Sequence, residues 1–501
     1  MKKVDRKKWK VIAGVFLVLQ AVFGIFLLAM IVKINMLPIE YVLFVTTLLL
    51  LMFSCTYLLL FARKKKGKSM KAVYVKRGFG SVLSILMIVL SLLGTSVISK
   101  LDLTIGNISG NDVITETTAV YVLKDDPAQE ISDIQDYTLG YTKIYDWENA
   151  QKALEAINTS LKTDIKTEEF DSVDEMVGAL YEKNVGAILL NMAYEDVLAE
   201  DEDYSDFSSQ PRIIFENDVE KEQVQAVTNN KIEEEPFIVY ISGSDTRNKK
   251  LSTSRSDVNI LAVVNPESKQ ILLLNTPRDY YVQTTVSGSS KDKLTHCGLY
   301  GIDCSMGTLD NLYGVEVNYY AQINFTGFEK LIDELGGVEV YSEKSFSTKE
   351  GGYKIKKGMN TMSGKVALAF VRDRYSFADG DNARGRHQMA VIEAIINKAT
   401  GSTAIINNYT GIMDSIEGMF ATNISSSQIS DLVKMQLKDG GTWNIKSYAV
   451  TGTGASKKPY SAPSKNAYVM IPDQDSVDFA SELINKVFEG EILTDEDLVM
   501  P

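Results

Sequence analysis

The chain has 501 residues, 45% of them hydrophobic, and 52 basic against 65 acidic residues leave a formal net charge of −13. That composition excludes a disordered polyelectrolyte, and with 10 Pro and 34 Gly there is neither a collagen-like repeat nor a low-complexity tract. The charge is unevenly placed: residues 1–81 hold 15 Lys and Arg against 2 Asp and Glu, a local +13, and residues 82–501 hold 37 against 63, a local −26. A basic, apolar segment is followed by an acidic globular part long enough for more than one domain.

Three apolar runs come first: Val11 to Val32, interrupted by Gln20, then Tyr41 to Phe61, then Val82 to Ile98. A helix needs about 20 apolar residues to cross a bilayer, with about 17 the lower limit, so residues 1–99 are expected to form a membrane anchor of three crossings. The first run exceeds the roughly 7–15 residues of a signal-peptide core, and a second follows at once, so it reads as a span. Lys2, Lys3, Arg6, Lys7, Lys8 and Lys10 precede the first span, and Arg63, Lys64, Lys65, Lys66, Lys68, Lys71, Lys76 and Arg77 lie between the second and third. Short basic loops stay inside, which predicts a multi-pass protein of the cell membrane with a cytoplasmic N-terminus and an extracytoplasmic remainder. The basic loop could also be a nucleic-acid or anionic-lipid patch, but it is short and holds no helix-turn-helix pattern, so topology accounts for it and direct nucleic-acid binding is not expected.

Residues 100–112 are polar and Gly-bearing and read as a linker. A small α/β accessory domain is expected over 113–230, with strands at Ala119 to Leu123 and Val185 to Leu190 and helices at Asp146 to Asn158 and Ser172 to Lys183. It has no phosphate loop, metal-ligand cluster or histidine, and its acidic run Glu200 to Asp206 reads as a solvated loop. An α/β domain follows over 236–400, with 401–501 completing it. Its expected strands are Phe237 to Ser242, Val258 to Val264, Ile271 to Asn275, Val338 to Tyr341 and Ala367 to Val371. Its expected helices are Asp303 to Tyr313, Thr326 to Leu335 with Gly336 and Gly337 as left-handed caps, and His387 to Thr400. Strands 258–264 and 271–274 are apolar at consecutive positions, as strands buried on both faces are. Cys297 and Cys304 are expected to be free thiols: on one helix, seven residues would separate their Cα atoms by about 10.5 Å, beyond the reach of a disulfide, an objection that a loop at Cys297 would remove.

The chemistry-bearing residues concentrate in this last domain. Asp245 follows a strand in Ser-Gly-Ser-Asp-Thr-Arg, and Arg255-Ser256-Asp257 precedes the next. Two carboxylates at strand ends suit a hard divalent cation such as Mg²⁺, which takes one or two carboxylates plus phosphate oxygens. The competing reading is that Asp245 caps a turn and Asp257 pairs with Arg255. Pro277-Arg278-Asp279 ends another strand, and Arg372, Arg374, Arg384 and Arg386 fall within fifteen residues around Asp379, Asp381, His387 and Gln388. Guanidinium forks bind phosphate oxygens bidentately, so a diphosphate suits such a cluster, and a helix start near Arg386 would add backbone N–H donors. Against this stands a plain solvated loop, because three Asp accompany the arginines.

Together these residues resemble the LytR-CpsA-Psr family, and the capsule-associated streptococcal type in particular, with three N-terminal spans, an accessory outer domain and then the family domain. The resemblance implies an α/β domain with a central mixed sheet flanked by helices. It implies a Mg²⁺-dependent phosphotransferase that moves capsular polysaccharide, or a related anionic glycopolymer, from undecaprenyl diphosphate to peptidoglycan on the outer membrane face. By motif position Asp245 and Asp257 would hold Mg²⁺, and Arg255, Arg278, Arg372, Arg374, Arg384 and Gln388 would grip the phosphates. Arg278, Arg374 and Asp381 would be catalytic, although Asp381 and Asp279 are both candidates for the base and either could instead orient an arginine. Neither histidine, His296 nor His387, is expected to take part. The polyprenyl tail would lie between sheet and helices, against segments such as 258–264, 271–274 and 323–335, and other capsule-assembly proteins are candidate partners. A membrane sensor of lipid-linked precursors is the alternative, weakened by the lack of a cytoplasmic output domain in this sequence. A polyprenyl pyrophosphatase is a third reading.

Overall fold

The computed structural model describes residues 3–63, 70–109, 113–143, 146–199, 203–222, 231–244, 251–378, 380–401, 411–412, 414–463 and 465–500. The chain divides into two compact units, Met1–Asn107 with Ser426–Gly441, and Ile108–Ser425 with Thr442–Pro501.

The first unit is built on α1 (Lys3–Ile34), α2 (Ile39–Leu60) and α3 (Met70–Ser109). Stretches of each, Lys7–Ile34, Ile39–Leu60 and Met70–Leu103, are long and apolar enough to cross a membrane. Asn35 takes a left-handed φ of +51° and Pro38 opens α2, so the α1–α2 turn is short. Small residues let the helices meet: a Cβ on Gly80 of α3 would stand 2.9 Å from Leu59 Cβ of α2. Ser84 Oγ donates to Phe16 O at 3.2 Å, and Trp9 Nε1 to Leu60 O at 3.0 Å. The expected linker at 100–112 is helical as far as Ser109, with no proline in the sequence to stop the helix.

The second unit contains two main sheets. The first, in the order β3-β2-β4-β1-β5, takes in β1 (Val113–Leu123), β2 (Thr138–Thr142), β3 (Lys166–Phe170), β4 (Ala187–Asn191) and β5 (Pro211–Glu222). β2 runs parallel to β3 and β4, and β1 antiparallel to β4 and β5. Helices α4 (Trp147–Leu161), α5 (Val173–Tyr181) and α6 (Glu195–Ala199) accompany it. Alternate residues of β1 face opposite ways: Val120 and Val122 pack with Ala153 and Ile157 of α4, and Ala119 and Tyr121 with Val177 and Leu180 of α5. Strands β2, β3 and β5 were not expected. β3 is a polar edge strand, and the short apolar pattern of β2 is interrupted in sequence by Gly140, where a Cβ would meet Phe170 Cε2 at 3.0 Å.

The second sheet is mixed and six-stranded. Its first strands β6 (Phe237–Ser244), β7 (Ser256–Asn265) and β8 (Gln270–Asn275) form an antiparallel meander. The short strands β9 (Tyr281–Val282) and β10 (Asp292–Lys293) pair beside it, followed by α7 (Ile302–Tyr313). β11 (Tyr319–Asn324) returns parallel to β6 and leads into α8 (Phe325–Glu334). A side lobe follows, with β12 (Val338–Ser342), the hairpin β13 (Phe346–Ser347) and β14 (Lys354–Ile355), and β15 (Gly358–Met362) on β12. Helices α9 (Gly364–Arg372) and α10 (Asp381–Gly401) come next, then β16 (Phe420–Thr422) antiparallel to β11. Helix α11 (Ser426–Asp439), which belongs to the first unit, precedes β17 (Asn444–Ala449), parallel to β8. The hairpin β18 (Gly452–Lys457) and β19 (Ala467–Pro472) and helix α12 (Gln474–Phe488) close the chain. The strand order is β16-β11-β6-β7-β8-β17, the central mixed sheet that the family resemblance implied.

One face of that sheet, with Leu261, Val263, Leu272 and Leu274, is core against α7 and α12. A separate core joins Ile332 of α8, Val338 of β12, Phe370 of α9 and Val391 of α10. Gly336 and Gly337 end α8 at φ +75° and +82°, as left-handed caps. Ala367–Val371, expected as a strand, lies in α9. A five-residue apolar run fits a buried helix as well as a strand, and longer-range contacts decide here: Gly364 N donates to Asp333 Oδ1 at 2.7 Å, and a Cβ on Gly364 would stand 2.0 Å from Glu329 O of α8. Cys297 and Cys304 are buried free thiols, the first in the turn Leu294–Tyr300 and the second on α7.

Candidate active site

The segments that lead into β7 and α10 and out of β8 and α9 converge on one cavity of about 300 Å³. Arg255 and Asp257 stand at the start of β7, which buried hydroxyls fix in place. Ser256 Oγ bonds Tyr240 OH and Ser242 Oγ, each at 2.9 Å, and Ser244 Oγ bonds Ser254 Oγ at 2.6 Å. From behind, Gly298 is pressed onto this strand: a Cβ there would stand 2.3 Å from Ser254 O and 2.8 Å from Ser256 N. No side chain fits at 298 without displacing the backbone that presents Arg255.

Arg278, in the turn after β8, is almost buried. Its Nη1 bonds Asp257 Oδ1 at 2.6 Å, and its Nε lies 3.7 Å from Asp279 Oδ2. Asp279 Oδ1 is in turn 3.4 Å from Nζ of the buried Lys293. Asp257 therefore pairs with Arg278, which the sequence had not offered as its partner. Arg384 Nη2 bonds Asp381 Oδ1 at 2.6 Å, one turn back on α10. Burial is the main cause that raises the Asp381 carboxyl above its usual value; Arg384 opposes the shift, and Asp279 adds to it. α10 begins at Asp381, not near Arg386, and Arg384 N is already bonded to Gly380 O at 3.2 Å. The open N–H donors of this helix thus precede Arg384.

Arg372 ends α9 with its guanidinium 4.6 Å from the centre of the Phe325 ring and Nη1 2.6 Å from Glu350 Oε2. Arg374 lies 5.2 Å from the Tyr375 ring and donates to its hydroxyl at 3.1 Å, which holds that phenol below its usual pKa. Asp373 faces inward: its carboxylate accepts from Lys349 N at 2.8 Å and Ser376 N at 3.0 Å, pinning the loop between the two arginines. Behind the loop His387 stacks on Phe370 at 4.1 Å, and its Nδ1 lies 3.2 Å from Phe370 O. Burial lowers its pKa to about 4, so it is a neutral packing residue at neutral pH. His296 is locked away with Asp292 Oδ1 at 2.7 Å and Ser461 Oγ at 2.5 Å, and it does not line the cavity.

Arg255, Asp257, Arg278, Arg372, Arg374, Arg384 and Gln388 all line this cavity, with Asp381 on its margin through Arg384. Asp245 lies outside the described residues. Two lining residues had no sequence signal, Lys349 and Glu350, both delivered by the β13–β14 lobe. Of the apolar segments singled out for a lipid tail, Val258 and Phe325 reach the wall, joined by Ala369 and Val371 of α9. Six cations against the carboxylates of Asp257, Glu350 and Asp373 line the cavity, which makes it a receptor for a multiply charged anion. Among the described residues no cluster of three or more His, Cys, Asp or Glu could hold a metal. Asp257 by itself offers hard oxygen on the cavity wall, a donor that fits Mg²⁺ when phosphate oxygens complete the coordination.

The profile of the LytR_cpsA_psr family matches residues 204–485. A relative from Enterococcus faecalis, the polyisoprenyl-teichoic acid–peptidoglycan teichoic acid transferase TagU, is 30% identical over 287 residues, 57% of this chain and 89% of that protein. The corresponding transferase TagT of Bacillus subtilis is 37% identical over 199 residues, 38% of this chain and 60% of that protein. Among solved structures, that of TagT bound to LI-WTA covers 55% of this chain and 96% of its own, at 27% identity and a TM-score of 0.41.

Proposed function

Because this chain belongs to the LytR_cpsA_psr family, we propose that it is a phosphotransferase that moves an anionic glycopolymer, capsular polysaccharide in our reading, from undecaprenyl diphosphate to peptidoglycan. The observation that carries this reading is the convergence of Arg255, Arg278, Arg372, Arg374, Arg384 and Gln388 from separate segments onto one cavity. The named transferase activity of the relatives from Enterococcus faecalis and Bacillus subtilis supports it. The apolar helices α1 to α3 anchor the enzyme, and the basic residues flanking them put the N-terminus in the cytoplasm and the catalytic part outside, where the polymer and its acceptor meet.

The chemistry follows from charge and position. Phosphoryl transfer asks a protein chiefly to hold the reacting groups in line and to neutralise the phosphate oxygens. Arg278 and Arg384 are each held by a carboxylate, so their guanidinium planes are fixed before the diphosphate arrives. Arg372 and Arg374, braced on aromatic rings at the rim, grip the outer phosphate, and Gln388 donates from α10. The acceptor hydroxyl oxygen bonds to the polymer-bearing phosphorus, the bridging P–O bond breaks, and the lipid phosphate leaves with the bonding pair. The hydroxyl proton passes to a carboxylate at this wall, Asp381 in our reading. Asp257, with Asp245 as the second carboxylate in the sequence, would hold Mg²⁺, which supplies further neutralisation of the diphosphate when bound.

The test is reconstitution. Full-length protein in detergent, given a polyprenyl-diphosphate-linked saccharide and soluble glycan strands, should produce saccharide phosphate on the glycan and an equal amount of lipid monophosphate. Saccharide phosphate released into solution instead would identify a pyrophosphatase and refute the transferase reading.

A further inference from the structure

The sheet β3-β2-β4-β1-β5 and its helices have no place in the chemistry above, yet their apolar core takes in a residue from far along the chain. Leu299, 4% exposed and part of the turn Leu294–Tyr300, belongs to the core formed by Tyr121 of β1, Val177 and Leu180 of α5 and Leu198 of α6. Tyr300 packs against the same core, and its hydroxyl lies 3.4 Å from that of the buried Tyr194.

Other residues of that turn face the arginine site. Gly298 is pressed onto Ser254 O and Ser256 N, the backbone on either side of Arg255. Thr295, fully buried, donates its backbone N–H to Arg278 O at 2.8 Å, and its Oγ1 lies 3.5 Å from Asp257 Oδ1, the carboxylate oxygen that holds Arg278. Cys297 joins the core around Leu261 and Leu274 instead. The turn is 3₁₀-helical, with about three residues per turn, so its side chains point in three directions and one short segment reaches all three surroundings.

Two further ties hold this arrangement. β1 pairs β4 over Thr118–Tyr121, and ahead of that stretch Thr115 of β1 bridges Ser252 in parallel register, shortly before Arg255. The backbone that presents Arg255 is therefore gripped both by β1 and by Gly298. His296, which the chemistry does not use, anchors the turn: its Nδ1 meets Asp292 Oδ1 at 2.7 Å and Ser461 Oγ at 2.5 Å, and the neighbours of Ser461, Tyr460 and Ala462, pack on the core that contains Leu299.

We propose that the first sheet and its helices are a positioning device for the donor: through Leu299 they hold the turn Leu294–Tyr300, and the turn sets the backbone of Arg255 and Arg278 for the diphosphate. The identity of that ligand rests on the transferase reading above. Leu299 does not line the arginine cavity, so it is a positioning residue that acts through Gly298 and Thr295. A binding constellation tolerates about 0.5 Å of misplacement, and an emptied core position lets the turn relax by more than that.

The test compares full-length protein in detergent with Leu299→Ala, which empties the core position, and Leu299→Met, which refills it. In ligand-free protein, amide exchange over residues 252–258 and 278–280 should rise about tenfold in Leu299→Ala and return toward the parent rate in Leu299→Met. The Kd for farnesyl diphosphate, a soluble polyprenyl diphosphate, should rise about tenfold in Leu299→Ala, as for one weakened charge-assisted hydrogen bond, and recover in Leu299→Met. In an Arg255→Ala background the same substitution should move that Kd less than about twofold, a coupling that a general loss of folded protein does not produce. If Leu299→Ala fails to fold, Leu299→Val carries the test with a shift of about threefold. Faster exchange in the folded variant, with no farnesyl diphosphate bound by the parent protein, would retire the transferase reading and keep the coupling. Farnesyl diphosphate bound by the parent, with an unmoved Kd in the folded variant, would retire the coupling and keep the reading.

Discussion

Lowering the pH from about 7.5 to about 5 should loosen the loop that carries Arg372 and Arg374, through His387. The ring is 4% exposed, stacked on Phe370 and flanked by Phe346 and Phe377, with Glu343, Asp373 and Arg386 the charged groups that reach it. Its pKa falls from 6.5 to about 4, with burial the main cause. A group whose folded value is depressed binds its proton more tightly in the unfolded chain. The stability it contributes is therefore present above about 6.5 and is lost progressively as pH falls toward about 4. At pH 5 the loss is about 2 kcal/mol, since one pKa unit is worth about 1.4 kcal/mol, and an opening equilibrium shifts about 30-fold. Amide exchange over residues 364–400, read by mass spectrometry at both pH values and corrected for intrinsic rates, measures that shift. In His387→Phe, which keeps the ring and lacks the titrating nitrogen, the additional opening at pH 5 should vanish. An identical pH response in the parent and this variant would refute the reasoning.

Gly298→Ala should disable the site without touching the cavity wall, because the methyl group meets the backbone of Ser254 and Ser256. Overpacking of this kind costs about 1–3 kcal/mol, so denaturant unfolding should register it alongside lost transfer; full activity would show that Arg255 tolerates the shift. The raised Asp381 carboxyl must be ionised to accept a proton, so kcat/KM should fall on the acid side at a pH above that of an ordinary aspartate. That limb should be absent from the residual activity of Asp381→Asn, and its persistence would assign it to another group. Asp257→Asn should raise the Mg²⁺ concentration needed for half-maximal transfer, and an unchanged metal titration would count against Asp257 as a ligand. Arg278→Ala leaves the carboxylates of Asp257 and Asp279 without the guanidinium between them, and transfer should be abolished while circular dichroism stays native. Retained turnover would overturn the role of Arg278.

Much of the site was legible because its residues sit at ends of elements whose patterns are strong. Runs such as Val258 to Val264 and Ile271 to Asn275 mark strands by unbroken apolarity, and Arg255, Asp257 and Arg278 flank them in sequence as they do in space. Arg372 to Gln388 read as one cluster, although the position of the helix start at Asp381 was hidden by the charged residues of its first turns. What escaped depends on contacts between distant segments. The partners of α9, Asp333 and Glu329 on α8, are about thirty residues away, and a local apolar run carries no trace of them. Lys349 and Glu350 belong to a polar hairpin indistinguishable from any surface turn, and Gly298 is a lone glycine whose necessity appears only when it meets β7. Lys293 has no local mark either; its place in the chain of charges through Asp279 and Arg278 to Asp257 is set by the pairing of β9 with β10. β17 escaped as well: it joins the sheet beside β8 some 170 residues later in the chain and is half-buried throughout, with no apolar run to announce it.

The most direct measurement of the central claim is a structure of the full-length protein with a non-hydrolysable polyprenyl-diphosphate saccharide. Diphosphate density is expected within hydrogen-bond distance of Arg255, Arg278, Arg384 and Gln388, with the saccharide leaving past Arg374 toward solvent. Diphosphate bound elsewhere, with the arginine cavity occupied by solvent at saturating ligand, would contradict the claim.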